Sequence, residues 1–332
     1  MIRKARYIIA EGYVPFPNMA LEEYLLLQVG PDECILYLWQ NKNTVVIGRN
    51  QNCWKECRVA QLEESGGYVA RRLSGGGAVF HDTGNLNFTF LARKAAYDVP
   101  RQTEVILRAV SSFGIDARRS GRNDITVDGR KFSGNAFYQT GDRCYHHGTI
   151  LINADIPMLS HYLHVSAEKL RSKGVDSVKS RVVNLCDINP DITVEKMKAR
   201  LITAFEEVYG VTPEPIGRDE INQAELERLT QKFSDDTWRF GRPIPFTCQL
   251  EKRFAWGEIQ LQLHVHGGQI VEAAVFSDAM NAELISRIPA ALQGVFFSSD
   301  LLSEALGQIS CADEAERDMT SDIKNLIKEQ EF

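Results

Sequence analysis

The stretch "RRLSGGGAVFHD", residues 71–82, sets three consecutive glycines between two strand-like runs. Glycine loses more conformational freedom on ordering than any other residue, so such a run implies a need for bare backbone. One use is close backbone packing at a bulge. The other is access of an anion to backbone N–H groups. A Walker-type phosphate loop needs GxxxxGK[ST] entering a helix, yet no Lys-Ser/Thr pair follows here and the next run, "GAVFHD", is β-like. A GxGxxG turn opening a helix is absent too. Beside a bulge that serves only close backbone packing, what remains is a strand–glycine–strand turn that sets a phosphate or an acyl chain against backbone. Arg71 or Arg72 would supply fixed charge, because a guanidinium matches phosphate oxygens bidentately.

Around this turn the chain reads as a mixture of hairpins and scattered helices. "NMALEEYLLLQ" predicts a helix with Asn18 as N-cap. "LNFTFLA" alternates like a half-buried strand. "QTEVILRAVSSFG" carries Val105, Ile106, Ala109, Val110 and Phe113 on one helical face and stops at Gly114. "DITVDGRKFSGNAFY" predicts a hairpin turning at Asp128-Gly129. A polar stretch, "HVSAEKLRSKGVDSVKSRVVNL", is long for a loop, and loops of that length in compact domains are either functional or disordered. "TVEKMKARLITAFEEVYG" predicts an amphipathic helix from the Thr193 cap to Gly210. The pattern restarts near residue 246 with a hairpin at Gly267-Gly268 and helices near 281–292 and 298–307. The expectation is an α+β protein: a large mixed-sheet domain over 1–210, a linker over 211–245 and a small α+β domain over 246–332.

A net charge of -6 disfavours a sequence-independent nucleic-acid binder. No apolar run approaches the length of a membrane span, and the N-terminal residues do not read as a signal peptide. Seven scattered cysteines without a CxxC pair indicate neither a disulfide framework nor a thiolate zinc site, which fits a reducing cytoplasm. His146 and His147 are adjacent on a predicted strand and should face opposite sides, which argues against a metal pair. Trp39, Trp54 and Met19 read as packing residues. A Cys–His acyl-transfer pair between Cys144 and these histidines would rest on sequence proximity alone, which does not make a nucleophile–base pair.

"TVVIGRNQNCWKEC", "RRLSGGGAVFHD", "GRNDITV", "GRKFSGNAF", "HHGTILINAD" and "SVKSRVVNL" occur in that order, and together they resemble the lipoate–protein ligase A family. The resemblance implies a fold of the biotin/lipoate ligase type with an accessory C-terminal domain. It implies that lipoate and Mg-ATP form lipoyl-AMP and pyrophosphate. The lipoyl group would then pass to a lysine of an acceptor domain, on E2 subunits of 2-oxoacid dehydrogenases or the glycine-cleavage H protein. On these matches Lys131 is the catalytic candidate. Arg72, Gly77, Ala78, Val79, Phe80, Asn123, Asp124 and Lys131 would bind ATP or the adenylate, with Asp124 a Mg²⁺ ligand. Ser74, Gly76, Lys131, His147 and Gly148 would bind lipoate, beside an apolar tunnel to which Val45 and Val79 contribute. "LRSKGVDSVKSRVVNL" matches a loop that covers the adenylate in the family. A single chain with its accessory domain would work as a monomer. The alternative is an ATP-independent octanoyl or lipoyl transferase of the same fold, with Cys144 or Cys186 as acyl carrier.

Overall fold

The computed structural model describes residues 2–121, 123–164, 182–330 and 332. The residues form two compact units. One comprises 1–46, 54–71 and 78–239; the other comprises 47–53, 72–77 and 240–332.

The first unit is built on an eight-stranded sheet. Its strands are β1 (Lys4–Ile9), β2 (Glu33–Trp39), β6 (Asn85–Arg93), β7 (Arg118–Ser120), β8 (Asp124–Val127), β9 (Arg130–Thr140), β10 (Arg143–Leu151) and β11 (Glu214–Pro215). Their order in the sheet is β11-β1-β2-β6-β10-β9-β8-β7. β11, β1 and β2 run parallel, and from β2 to β7 every pairing is antiparallel. On one face helices Val99–Ser111 and Val194–Tyr209 pack together and close a core with Leu36, Leu38, Phe88, Phe90, Phe132 and Phe205. Helix Pro15–Gln28 contacts β2, β6 and β10, and helix Gln223–Ser234 packs on it. A smaller sheet joins β3 (Thr44–Ile47), β4 (Tyr68–Arg71) and β5 (Val79–His81) in the order β4-β3-β5. The strands flanking the glycines therefore pair with β3, not with each other.

Local signals set several boundaries. The Thr193 hydroxyl accepts from the Lys196 N–H, and Gly210 closes that helix at φ 63°. Asp128 and Gly129 turn the β8–β9 hairpin at φ 49° and 74°. The structure differs from two expectations. The first helix begins at Pro15, and Asn18 is not its cap. Its buried amide instead donates to the Gln40 carbonyl (2.8 Å) and Asn41 Oδ1 (3.0 Å). β6 is buried along nearly its whole length rather than half-buried, because helix Pro15–Gln28 covers one face and the core closed by helices Val99–Ser111 and Val194–Tyr209 covers the other.

The second unit carries the antiparallel sheet β12 (Cys248–Phe254), β13 (Gly257–His266) and β14 (Gln269–Ser277), with helices Ala282–Leu292, Ser299–Gly307 and Glu314–Lys328. Ile259, Leu261 and Leu263 face the helices' Leu284, Ile288 and Ile323 in its core. The expected hairpin turns at Gly267 and Gly268, both at positive φ. No described helix is long and apolar enough to cross a membrane.

Candidate functional site

In the first unit the β8–β9 hairpin brings the predicted Asp124 and Lys131 together, with the predicted Gly148 beside them on β10. Its register runs Val127↔Arg130, Thr126↔Lys131, Ile125↔Ser133 and Asp124↔Gly134, so Phe132 is the extra residue of a bulge. In a regular hairpin, Lys131 and Gly134 would point to opposite faces. The bulge sends Phe132 into the core and brings Lys131 onto the face of Asp124 and Gly134. There Lys131 Nζ meets Asp124 Oδ1 at 2.6 Å, with side chains 30% and 28% exposed. Gly134 lies directly under the ammonium: a Cβ there would stand 2.7 Å from Nζ. The Gly134 N–H donates to Thr149 Oγ1 (3.2 Å). Gly148 also leaves no room, since a Cβ would stand 2.6 Å from the Gly134 carbonyl and from the Phe88 ring. The polypeptide thus forms a tight floor beneath a reachable cation. Val183 N–H donates to the Lys131 carbonyl (3.0 Å) and fixes the strand from outside.

Asn123 is bound to β9: its Nδ2 donates to the Asn135 carbonyl (3.0 Å). Val79 and Phe80 lie on β5, paired with Val46 and Val45, and Ala78 precedes them. His147 faces helix Pro15–Gln28, where its Nδ1 meets buried Glu22 Oε1 at 2.8 Å. Thr89 Oγ1 donates to the same oxygen (2.7 Å) and accepts from Trp39 Nε1 (3.0 Å). Sequence reasoning misses Glu22 and Thr89, because a carboxylate in an apolar helix gives no local sign of its partner. Trp39 does more than pack, since its indole N–H also anchors this network. His146 points the other way, toward helix Val99–Ser111, as alternation requires. Desolvation among Phe88, Phe90 and Phe137 holds it near pKa 3, so its ring is neutral. Trp54 departs from the packing role expected of it: it is 62% exposed.

The second unit holds Arg72, Ser74, Gly76 and Gly77. The Arg72 guanidinium turns inward. Its Nε donates to Ser74 Oγ (3.1 Å), and its Nη2 donates to the carbonyls of Gly75 and Gly77 (both 2.7 Å). The glycines serve distinct ends. A Cβ on Gly75 would collide with the Ala279 carbonyl and stand 2.6 Å from that of Met280. Gly76 adopts φ 87°, where L side chains are strained, and its N–H donates to the Ala279 carbonyl (3.1 Å).

Asp124 offers one hard carboxylate, and the described residues contain no group of three or more His, Cys, Asp or Glu placed to hold a metal. That donor set suits Mg²⁺ arriving on substrate phosphates rather than a resident ion. The expected acyl carriers are poorly placed. Cys144 is buried in β10, and burial raises its thiol pKa; desolvation and Asp187 raise that of Cys186. Most of "LRSKGVDSVKSRVVNL" lies outside the described residues.

A family model for the lipoyl protein ligase A/B catalytic domain matches residues 14–206, and one for the bacterial lipoate protein ligase C-terminus matches 244–327. The chain is 44% identical to the lipoate-protein ligase A of Psychrobacter cryohalolentis over 289 residues, 85% of each protein. The chain belongs to the lipoate–protein ligase A family. Among solved structures it is similar to P. falciparum LipL1 in complex with lipoate, at TM-score 0.85 and 29% identity over 98% of this chain and 99% of that one. It is also similar to the bi-partite lipoate protein ligase of Thermoplasma acidophilum, solved with its E2 lipoyl domain, at TM-score 0.64 and 26% identity over 74% and 99%. Membership of this family accounts for the ordered motifs and for a small C-terminal fold after the large sheet.

Proposed function

We propose that this chain is an ATP-dependent lipoate–protein ligase whose adenylation chemistry centres on Lys131. The observation that carries the reading is the bulged hairpin, which holds a partly exposed ammonium against Asp124 over a floor of bare backbone. A lipoate carboxylate oxygen attacks the α-phosphorus of ATP, and the bond to pyrophosphate breaks. No protein nucleophile is needed. The step needs alignment and a cation where negative charge gathers, which Lys131 supplies. An acceptor lysine then attacks the acyl carbonyl as a free amine, forming the amide and releasing AMP.

In the first unit we assign Ala78, Val79, Phe80, Asn123 and Asp124 to the nucleotide, and His147 and Gly148 to the lipoyl group, with Lys131 serving both. In the second we assign Arg72 and Gly77 to the nucleotide and Ser74 and Gly76 to the lipoyl group. The inward guanidinium makes the Arg72 contribution mainly one of shaping the loop. Bound Mg²⁺, held by Asp124 and the phosphates, would neutralise phosphate charge. Acceptors are apo lipoyl domains of E2 subunits and the glycine-cleavage H protein, met by a monomeric, cytoplasmic enzyme.

The test is incubation with lipoate, ATP and an apo lipoyl domain, followed by the mass of the acceptor. Lipoylation with ATP and none without it is the expected result. Acylation from a lipoyl or octanoyl donor without ATP would overturn the reading in favour of the transferase, which the raised pKa values of Cys144 and Cys186 disfavour.

A further inference from the structure

Behind the Lys131 hairpin, on the face away from His147, runs a buried polar chain whose members Gln102, His146 and Asn135 have no part in the chemistry above. His146 Nδ1 lies 3.2 Å from Gln102 Oε1 on helix Val99–Ser111; with the ring proton on Nε2, the link is made by the Gln102 amide turned end for end, so that its buried, otherwise unpaired Nε2 donates to Nδ1. Its Nε2–H donates to Asn135 Oδ1 at 2.8 Å. Asn135 then clamps residue 123: its N–H and Nδ2 donate to the Asn123 carbonyl (2.8 and 3.0 Å), and Asn123 Nδ2 donates back to the Asn135 carbonyl (3.0 Å). The next residue is Asp124, the partner of Lys131. Gln102, His146 and Asn135 are all buried. A polar chain in an apolar core holds its members in one geometry, because each lost bond leaves a desolvated group behind.

We propose that His146 is a positioning residue: through Asn135 it sets the Asn123–Asp124 corner, and so the placement of the Asp124–Lys131 pair toward the nucleotide. The inference rests on the ligase reading. It separates two adjacent histidines by task. His147 acts on the face of helix Pro15–Gln28, while His146 acts through the hairpin and touches no substrate.

The test compares wild type with His146→Leu, which strands the Asn135 amide, and His146→Gln, which can restore a donor toward it. Lipoyl-AMP formation is measured against ATP and against lipoate, and amide hydrogen exchange is followed along 123–136. For His146→Leu we expect a roughly tenfold rise in KM for ATP with the lipoate KM within about twofold, and exchange at Asn135 about tenfold faster, the scale of one lost buried hydrogen bond. His146→Gln should recover most of both. If His146→Leu does not fold, Gln102→Leu, which touches neither ligand, carries the same test and should move the ATP parameters in the same direction. Wild-type protein that makes no adenylate overturns the ligase reading and this inference with it. Active wild type with a variant whose two KM values move together, or whose exchange at 123–136 is unchanged, overturns this inference alone.

Discussion

The β8–β9 hairpin and the glycine loop each bring a basic side chain to a run of bare backbone, and they use the charge in opposite ways. In the loop, Arg72 is buried and donates to Ser74, Gly75 and Gly77, so its hydrogen bonds hold the turn. In the hairpin, Lys131 pairs with Asp124, and about a third of each side chain remains in contact with solvent. A partly solvated pair contributes modestly to stability, and its accessible ammonium can be reached by a ligand. A buried guanidinium that satisfies carbonyls is costly to remove. Basic character near glycines therefore does not by itself mean phosphate binding; the direction of the donors decides.

The sharpest way to break this contrast is Lys131→Ala. We expect adenylate formation, read as pyrophosphate release, to fall roughly 10²–10³-fold, as for loss of a transition-state donor. Its thermal midpoint should hardly move; a large loss of stability would erase the distinction. Arg72→Ala should do the reverse and destabilise by about 2–3 kcal/mol, because stranded carbonyls cost roughly 1–3 kcal/mol each. Chemical denaturation measures this, and an unaltered midpoint would show that the inward bonds hold nothing.

The support behind the hairpin has its own signature in pH. His146 sits at about 3 when folded against an ordinary 6.5. Between those values the unfolded chain takes up a proton that the folded chain refuses. Its contribution to stability is complete above pH 6.5 and is lost as pH falls toward 3, by about 1.4 kcal/mol per unit. Melting curves of wild type should fall more steeply than those of His146→Gln over this range. Gly134→Ala is a milder probe of the floor. Its Cβ meets the flexible tip of Lys131, so stability should be nearly preserved while adenylation drops about tenfold, the cost of displacing a positioned group. The smallest effect is expected for Cys144→Ser: acceptor lipoylation should continue at close to the wild-type rate, and its loss would restore the thioester route.

Features governed by nearest neighbours are legible in the amino-acid sequence. The Asp128-Gly129 turn, the Thr193 and Gly210 caps and the opposite facing of His146 and His147 each depend on a few adjacent residues. The ordered motifs carry the family for the same reason, since a motif is a local string. Local pattern misleads where distant partners outweigh it. Asn18 has the form of a cap and is held by residues 40 and 41, and β6 alternates in sequence yet is covered by helices on both faces.

For "RRLSGGGAVFHD" the sequence alone determined that this is a turn between strands and not a Walker loop, because both conclusions rest on adjacent residue types. Tertiary structure decided what each glycine does: Gly75 makes room for the carbonyls of Ala279 and Met280, and Gly76 supplies a left-handed backbone and an N–H to Ala279. It also decided that Arg72 turns inward, and that one extra residue at Phe132 moves Lys131 to the face of Asp124. Packing and strand register are set by residues far apart in the chain, and a single-residue shift in register reverses which face a side chain occupies.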